Sequence, residues 1–311
     1  TYCLDGNEVV IDGKTYCLDG NELVIDGVRY CVDGNEYCTD GAHVVSEIYQ
    51  TYGILLLYSS NNTVSNNDVT VTSKLDKTYP TNSSQNSIVG IDVYFNCHNN
   101  VLSNNNVLVK GNDNYMYGMG VLGYNTGHKA PEGQGATNNQ YIGNTITLEG
   151  TYFTTGIIVG DESETTVIMD NVINAKSDVG YGIELEMSQN STIERNTITL
   201  NSQAVYLTQA YGSSDNVIND NVFRAEGKEV YGIVISNGNN NEIKGNIIEA
   251  KGTGENLTVK NLDSIKSGNA GLYLRANSTN NNVIDNNITS SKNYAVVIDD
   301  VASGNVIYNN Y

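Results

Sequence analysis

The sequence predicts an all-β chain in two parts: a short antiparallel meander, then a solenoid of about nine stacked coils. Three observations carry this. The composition is that of strands and turns, with 31 glycines, 2 prolines, 22 tyrosines, 3 phenylalanines and no tryptophan, and no segment of ten or more residues carries a helical apolar stripe. The first 42 residues repeat every seven. The remaining residues, 43–311, repeat about every 25, and a period of that size in a β-rich chain belongs to stacked coils.

The opening stretch reads TYCLDGNEVVIDGKTYCLDGNELVIDGVRYCVDGNEYCTDGA, with Asp-Gly at 5–6, 12–13, 19–20, 26–27, 33–34 and 40–41. Asp-Gly between β-prone runs marks two-residue hairpins, so six short antiparallel strands are expected over residues 1–42. Two-residue loops set residue 16 opposite 23, and place Tyr2, Val9, Tyr16, Leu23, Tyr30 and Tyr37 on one face. That face is apolar and needs a cover, for which the end or flank of the solenoid is the expected partner. The other face alternates Cys3, Cys17 and Cys31 with Glu8, Glu22 and Glu36. A thin solenoid of 14-residue coils is the runner-up, disfavoured because Tyr and Leu are too bulky for so narrow a coil. In the meander the three cysteines stand about 10 Å apart, too far for a disulfide. Free thiols, an inter-chain bond or a soft-metal site remain, and no CxxC pair or histidine partner supports zinc. Cys38 and Cys97 fall outside the row.

The longer repeat is seen on the pattern apolar–x–x–Asn–x–apolar. It centres on Asn67, Asn105, Asn144, Asn171, Asn196, Asn221, Asn246, Asn286 and Asn309, at steps of 38, 39, 27, 25, 25, 25, 40 and 23. Ahead of each asparagine runs a second signature, such as Tyr181-Gly182-Ile183, Gln203-Ala204-Val205 and Tyr231-Gly232-Ile233. A propeller blade needs about 40 residues and four strands, so a coil with two or three strands fits better. Equivalent residues of stacked coils lie about 4.8 Å apart. An asparagine at one fixed turn then bonds to its own copies above and below, and its buried amide is satisfied. Asparagine also tolerates the left-handed backbone of a sharp turn. The row is therefore expected to be a structural ladder. The glycines relieve crowding at a bend, and the tyrosines are expected to flank it without forming an unbroken stack.

Elements such as YGILLLYSSNNTVSNNDV and NAGLYLRANSTNNNVIDNNIT resemble the right-handed parallel β-helix repeats of archaeal, methanogen-type adhesin-like surface proteins. The resemblance covers residues 43–311. It implies a right-handed parallel β-helix in an extracellular, cell-surface setting. The wider superfamily also holds carbohydrate-binding proteins, sugar hydrolases and pectate-lyase-like enzymes, so it specifies the fold more than the activity.

A net charge of −19 repels phosphate backbones and argues against nucleic acid. No run of 18 apolar residues is present, so no membrane span is expected. Alternation after the Tyr-Gly bend places Asp92, Ile158, Glu184, Tyr206 and Val234 outward, and two residues on Glu186, Thr208, Ser236, Arg275 and Asp299. Glu184 and Glu186, about 7 Å apart on one strand face, offer an acid/base pair for glycoside cleavage. Together with Asp161, Glu162 and Glu164 they offer a Ca²⁺ site instead. The preferred reading is a solvated acidic face without catalysis. Arg275 is three coils from Glu184, about 14 Å, and the sugar-lyase signatures are not assembled: Asp299-Asp300 stands alone and Gly127-His128-Lys129 breaks Gly-His-Gly. His43, His98 and His128 sit in unrelated contexts.

Insertions at 74–87, 123–137 and 251–268 are candidate binding loops. Of six N-x-S/T sequons, Asn82 and Asn256 on those insertions are the expected acceptors if the protein is secreted. The expectation is a non-enzymatic extracellular structural or adhesive protein without a cofactor apart from Ca²⁺. It is expected to self-assemble end to end, because the last repeat stops in mid-coil, where either further repeats follow or another copy docks. A carbohydrate or cell-surface ligand is the expected small partner. A polysaccharide lyase or glycoside hydrolase, or a carbohydrate-binding module, is the alternative.

Overall fold

The computed structural model describes residues 51–74, 87–94, 96–112, 115–121, 135–160, 163–255, 269–292 and 294–311, with the backbone of six short strands between residues 8 and 37. The chain divides into two compact units, residues 1–48 and 49–311.

The first unit contains three two-stranded antiparallel hairpins. Glu8–Ile11 pairs with Lys14–Cys17, setting Val9 opposite Tyr16 and Glu8 opposite Cys17. Leu23–Ile25 pairs with Val28–Tyr30, setting Leu23 opposite Tyr30. Both registers are those that two-residue Asp-Gly links require. The third differs: Val32 lies opposite Tyr37, where the sequence period sets Tyr30 there. Residues 34–35 are Gly-Asn, itself a two-residue hairpin dipeptide, and it competes with the Asp-Gly one position earlier. The expected pairing of residues 16 and 23 is not among the described pairings, and the side chains of Cys3, Cys17 and Cys31 lie outside the described residues.

The second unit is a right-handed parallel β-helix. Its strands pair in parallel in two sheets, one of 15 strands and one of nine. Each coil has three sides, as the stretch from Ile183 shows. The first side runs to Glu186, the end of the strand Val172–Glu186. Two turns later comes the second side, the three-residue strand Thr192–Glu194. The third side opens the strand Thr197–Tyr211, which continues round a corner into the first side of the next coil. The nine-stranded sheet is the stack of second sides, one strand per coil, from Thr63–Ser65 to Val306–Tyr308.

Alternation decides what faces in. Ile183, Leu185, Ile193, Ile198 and Leu200 are all buried in one continuous apolar core. With coils about 4.8 Å apart, each such residue packs on its copies above and below. Corners are made by left-handed residues. One row of positive φ runs through Asn66, Asn104, Gly143, Asp170, Arg195, Asp220, Gly245, Asp285 and Asn309. A second, five residues earlier in each coil, runs through Asn61, Asn99, Asn138, Thr165, Asn190, Asp215, Asn240, Asn280 and Gly304.

The residue after each left-handed corner points inward, and there the asparagine row lies. Nδ2 of Asn67, Asn105, Asn144, Asn171, Asn196, Asn221 and Asn246 donates to Oδ1 of the next coil's asparagine at 2.9–3.0 Å. The next partner after Asn286 is Asn310, at 2.9 Å, not Asn309. Asn309 is the left-handed corner residue, and its amide bonds to Asp285 at the surface. Tyr311 lies two residues after Asn309 and satisfies the sequence pattern there, which shifts the frame by one. The left-handed geometry thus belongs to the residue before the ladder asparagine throughout. A second inward row, interrupted by Thr166 and Ser191, passes through Asn62, Asn100, Asn139, Asn216, Asn241, Asn281 and Asn305.

An aromatic column follows the outside of the bend. Tyr115, Phe153, Tyr181, Tyr206, Tyr231 and Tyr273 have successive ring centroids 5.0, 5.2, 4.8, 5.4 and 5.9 Å apart. The bend tyrosines do not form it by themselves: their row is broken by Val89, Thr155 and Ala270, and the column runs on because the diagonal neighbours Phe153 and Tyr273 fill the last two of those coils.

Candidate functional site

The first side carries the two glutamates. Register along the stack sets Asp92, Gly120, Ile158, Glu184, Gln209, Val234 and Tyr273 in one outward row. Glu186, Tyr211, Ser236 and Arg275 form the next. Tyr206 and Thr208, expected in these rows, are not in them. Tyr206 pairs with Tyr181 in the aromatic column, and Thr208 takes the inward place of Ile183 and Ile233. The bend glycine is replaced by Leu207 in this coil, and Ala204 supplied a false match three residues early.

Glu184 is only 9% exposed, between Ile158 at 1% and the half-buried Gln209, with Val234 beyond at 2%. Burial, and then the charge of Glu186, push its carboxyl up to about 8, so it holds its proton at neutral pH. A protonated acid beside a second carboxyl on one strand face is the chemical outfit of a glycosidase. Its neighbours along the row are Ile158 and Gln209, its charge reaches the phenols of Tyr117 and Tyr181, and Asp92 lies three coils away behind Gly120 and Ile158. Arg275 is likewise three coils from Glu184 by register. Asp299 is engaged structurally, accepting from the Tyr273 hydroxyl at 2.9 Å and from the Ala276 N–H at 3.1 Å.

The proposed Ca²⁺ ligands are not drawn together. Glu164 lies at a turn, bridge-paired with Thr137 and Gln189 ahead of the second side, while Glu184 and Glu186 are on the first. Asp161 and Glu162 fall outside the described residues. No group of three or more His, Cys, Asp or Glu among the described residues could hold a metal ion. His98 ties coils together, with Nδ1 2.8 Å from the Thr137 hydroxyl, and its Nε2 lies 2.7 Å from the side-chain Oδ1 of Asn96. His43 and His128 lie outside the described residues. Cys97 is a buried free thiol, packed at 3.1 Å from the Tyr94 carbonyl. Asn82, Asn256 and most of the three insertions also fall outside the described residues. No helix among the described residues is long and apolar enough to cross a membrane.

The third side holds a feature the sequence reading passed over. Its outward row runs Thr72, Lys110, Glu149, Lys176, Asn201, Glu226, Lys251, each five residues after the ladder asparagine. A parallel row runs Thr70, Leu108, Thr147, Asn174, Thr199, Arg224, Glu249. Lys110 pairs with Glu149 at 2.9 Å, Lys251 with Glu226 at 3.2 Å and Arg224 with Glu249 at 3.3 Å. Along these rows lies a groove of about 780 Å³ whose lining includes Lys110, Glu149, Asn174, Lys176 and Thr199. A smaller hollow of about 180 Å³ continues it past Arg224 and Lys251, sharing Thr199 and Asn201. The fixed five-residue offset from the asparagines was the available signal.

A family model described as periplasmic copper-binding protein (NosD) matches residues 121–251. Among solved structures, the catalytic domain of a GH87 alpha-1,3-glucanase in complex with nigerose is similar at 11% identity and a TM-score of 0.25, covering 81% of this chain and 62% of that one. A single-residue variant of that domain with nigerose gives 12% identity and the same TM-score and coverage. The chain thus spans less than two thirds of the glucanase domains. No curated protein matches it. Copper takes thiolate, thioether or imidazole donors. Residues 121–251 hold no cysteine, Met169 ends the second-side strand Val167–Met169 while Met187 stands at the corner after the first side, and His128 is outside the described residues. The described residues do not fit a copper centre.

Proposed function

We propose that the chain is a non-enzymatic extracellular β-helix protein with a structural or adhesive role at a cell surface, of the kind its methanogen adhesin-like repeats resemble. The observation that carries this reading is the burial of Glu184 between Ile158 and Gln209. An acid that cleaves a polymer needs an open cleft in which the sugar reaches it, and the burial of Glu184 against Ile158 speaks against one there. A rod stitched by inward asparagines suits a mechanical spacer, and the matched family's description as periplasmic favours a location outside the cytoplasm. Bonding along the asparagine rows runs in one direction, each Oδ1 accepting from the coil before, so a head-to-tail contact between copies would continue it. Electron micrographs of the purified protein are expected to show rods longer than one molecule, and uniform compact monomers would remove the assembly part.

One observation favours a second reading as a polysaccharide-cleaving enzyme, namely the Glu184 carboxyl pushed up to about 8. Release of reducing or unsaturated sugar ends from a panel of neutral and acidic glycans separates the two. The structural reading predicts none; release abolished by Glu184→Gln would overturn it.

A further inference from the structure

We infer that the groove on the third side is a binding site for a neutral linear polysaccharide lying along the stack axis, about one sugar per coil. This rests on the adhesive reading and names its ligand; it does not involve the glutamates of the first side. The groove and its continuation pass seven coils, from Thr72 to Lys251, a run of about 29 Å at the coil spacing. Equivalent outward positions recur at that spacing, which is close to the length of one pyranose residue in an extended chain. A polymer with that repeat meets the same two rows at every unit. An extended peptide does not match it, because its residues advance by about 3.3 Å and alternate faces.

The lining chemistry selects the class. Thr147, Asn174, Thr199 and Asn201 present hydroxyls and amides that both donate and accept. Lys110 and Glu149 neutralise one another, and Lys176 is exposed with no ion pair among the described residues. Charged groups on hydroxyls make the stronger hydrogen bonds. The described lining has no aromatic ring, and Leu148 and Ala175 leave apolar surface between the polar groups, against which the faces of sugar rings can lie. The chain's net charge of −19 repels a polyanion before it reaches a single uncompensated lysine. What remains is an uncharged polymer of hydroxyls.

The test is calorimetric titration of the intact protein with size-graded oligosaccharides of glucan, mannan, galactan and xylan, with sugar release followed in parallel. At least one neutral series is expected to bind, more tightly with each added sugar up to about seven. Asn174→Ala with Lys176→Ala is expected to weaken it roughly tenfold, the worth of one or two hydrogen bonds. Lys244→Ala, on the second side, is expected to bind as the parent does. These residues are exposed, and unchanged melting temperatures confirm that the variants fold. Absence of binding by every neutral series, binding indifferent to length or to the groove variant, or preference for polygalacturonate would each overturn the proposal. Sugar release that survives in the groove variant and disappears in Glu184→Gln would overturn the non-enzymatic reading instead.

Discussion

The side-chain Nδ2 of Asn196 donates to Oδ1 of Asn221 at 3.0 Å, and the backbone N–H of Asn196 donates to the same oxygen at 2.9 Å. The other Nδ2 proton has the Ile168 carbonyl, one coil back, at 2.9 Å. One asparagine thus closes three coils at a corner, with no polar atom of its amide left over, in a position without solvent.

Asn196→Ala removes the acceptor used by both the backbone N–H and the Nδ2 of Asn171. Leaving buried donors unpaired costs about 1–3 kcal/mol each, so a loss of about 2–6 kcal/mol is expected by denaturant titration. Asn309→Ala, at an exposed corner, is expected to cost about 1 kcal/mol, the strain of a left-handed alanine. Equal losses at the two positions would contradict the assignment of the row.

Thr165 is the single β-branched residue in its row of left-handed corners, at φ +55°. Every other member is Asn, Asp or Gly, which tolerate that region. Thr165→Asn is expected to raise stability by about 1 kcal/mol, seen as a higher midpoint of thermal unfolding.

Thr208 is fully buried in the inward place of Ile183 and Ile233, and its hydroxyl has no hydrogen-bond partner among the described residues. Replacing it by valine keeps the shape and removes an unpaired polar atom. Thr208→Val is expected to stabilise by about 1 kcal/mol, and a destabilised variant would show that the hydroxyl is bonded in solution.

The raised Glu184 carboxyl makes stability fall as pH rises. Between the ordinary carboxylate range and about 8 the folded protein holds a proton that the unfolded chain releases, so the stabilisation is complete in acid and lost through that window. Glu229, pushed up to about 6 by burial, acts in the same direction over a narrower range. Glu184→Gln cannot ionise. It is expected to flatten the dependence between pH 5 and 8 and to gain a few kcal/mol at the upper end, on the order set by ~1.4 kcal/mol per pH unit. An unchanged pH profile would place Glu184 in a wetter setting.

The coils were legible because the inward asparagines recur at a fixed place: Asn171, Asn196, Asn221 and Asn246 are 25 residues apart and share one buried row. Where a residue type changed, the frame slipped. Leu207 in the place of the bend glycine hid the true register of its coil and put Tyr206 on the wrong row. At Asn309 a trailing tyrosine completed the pattern one residue early. The second inward row was missed because Thr166 and Ser191 break its run of asparagines. The groove went unseen for a different reason. A concave surface depends on how the third sides and their corners stack, and strand alternation gives only the direction of each side chain.

The buried asparagine row is the element that holds the stack, and side-chain amide hydrogen exchange by NMR measures this directly. The Nδ2 protons of Asn171, Asn196 and Asn221 are predicted to exchange only with global unfolding, at rates set by overall stability, while those of the exposed Asn277 and Asn309 exchange at once. Fast exchange at Asn171, Asn196 and Asn221, matching the surface amides, would contradict it.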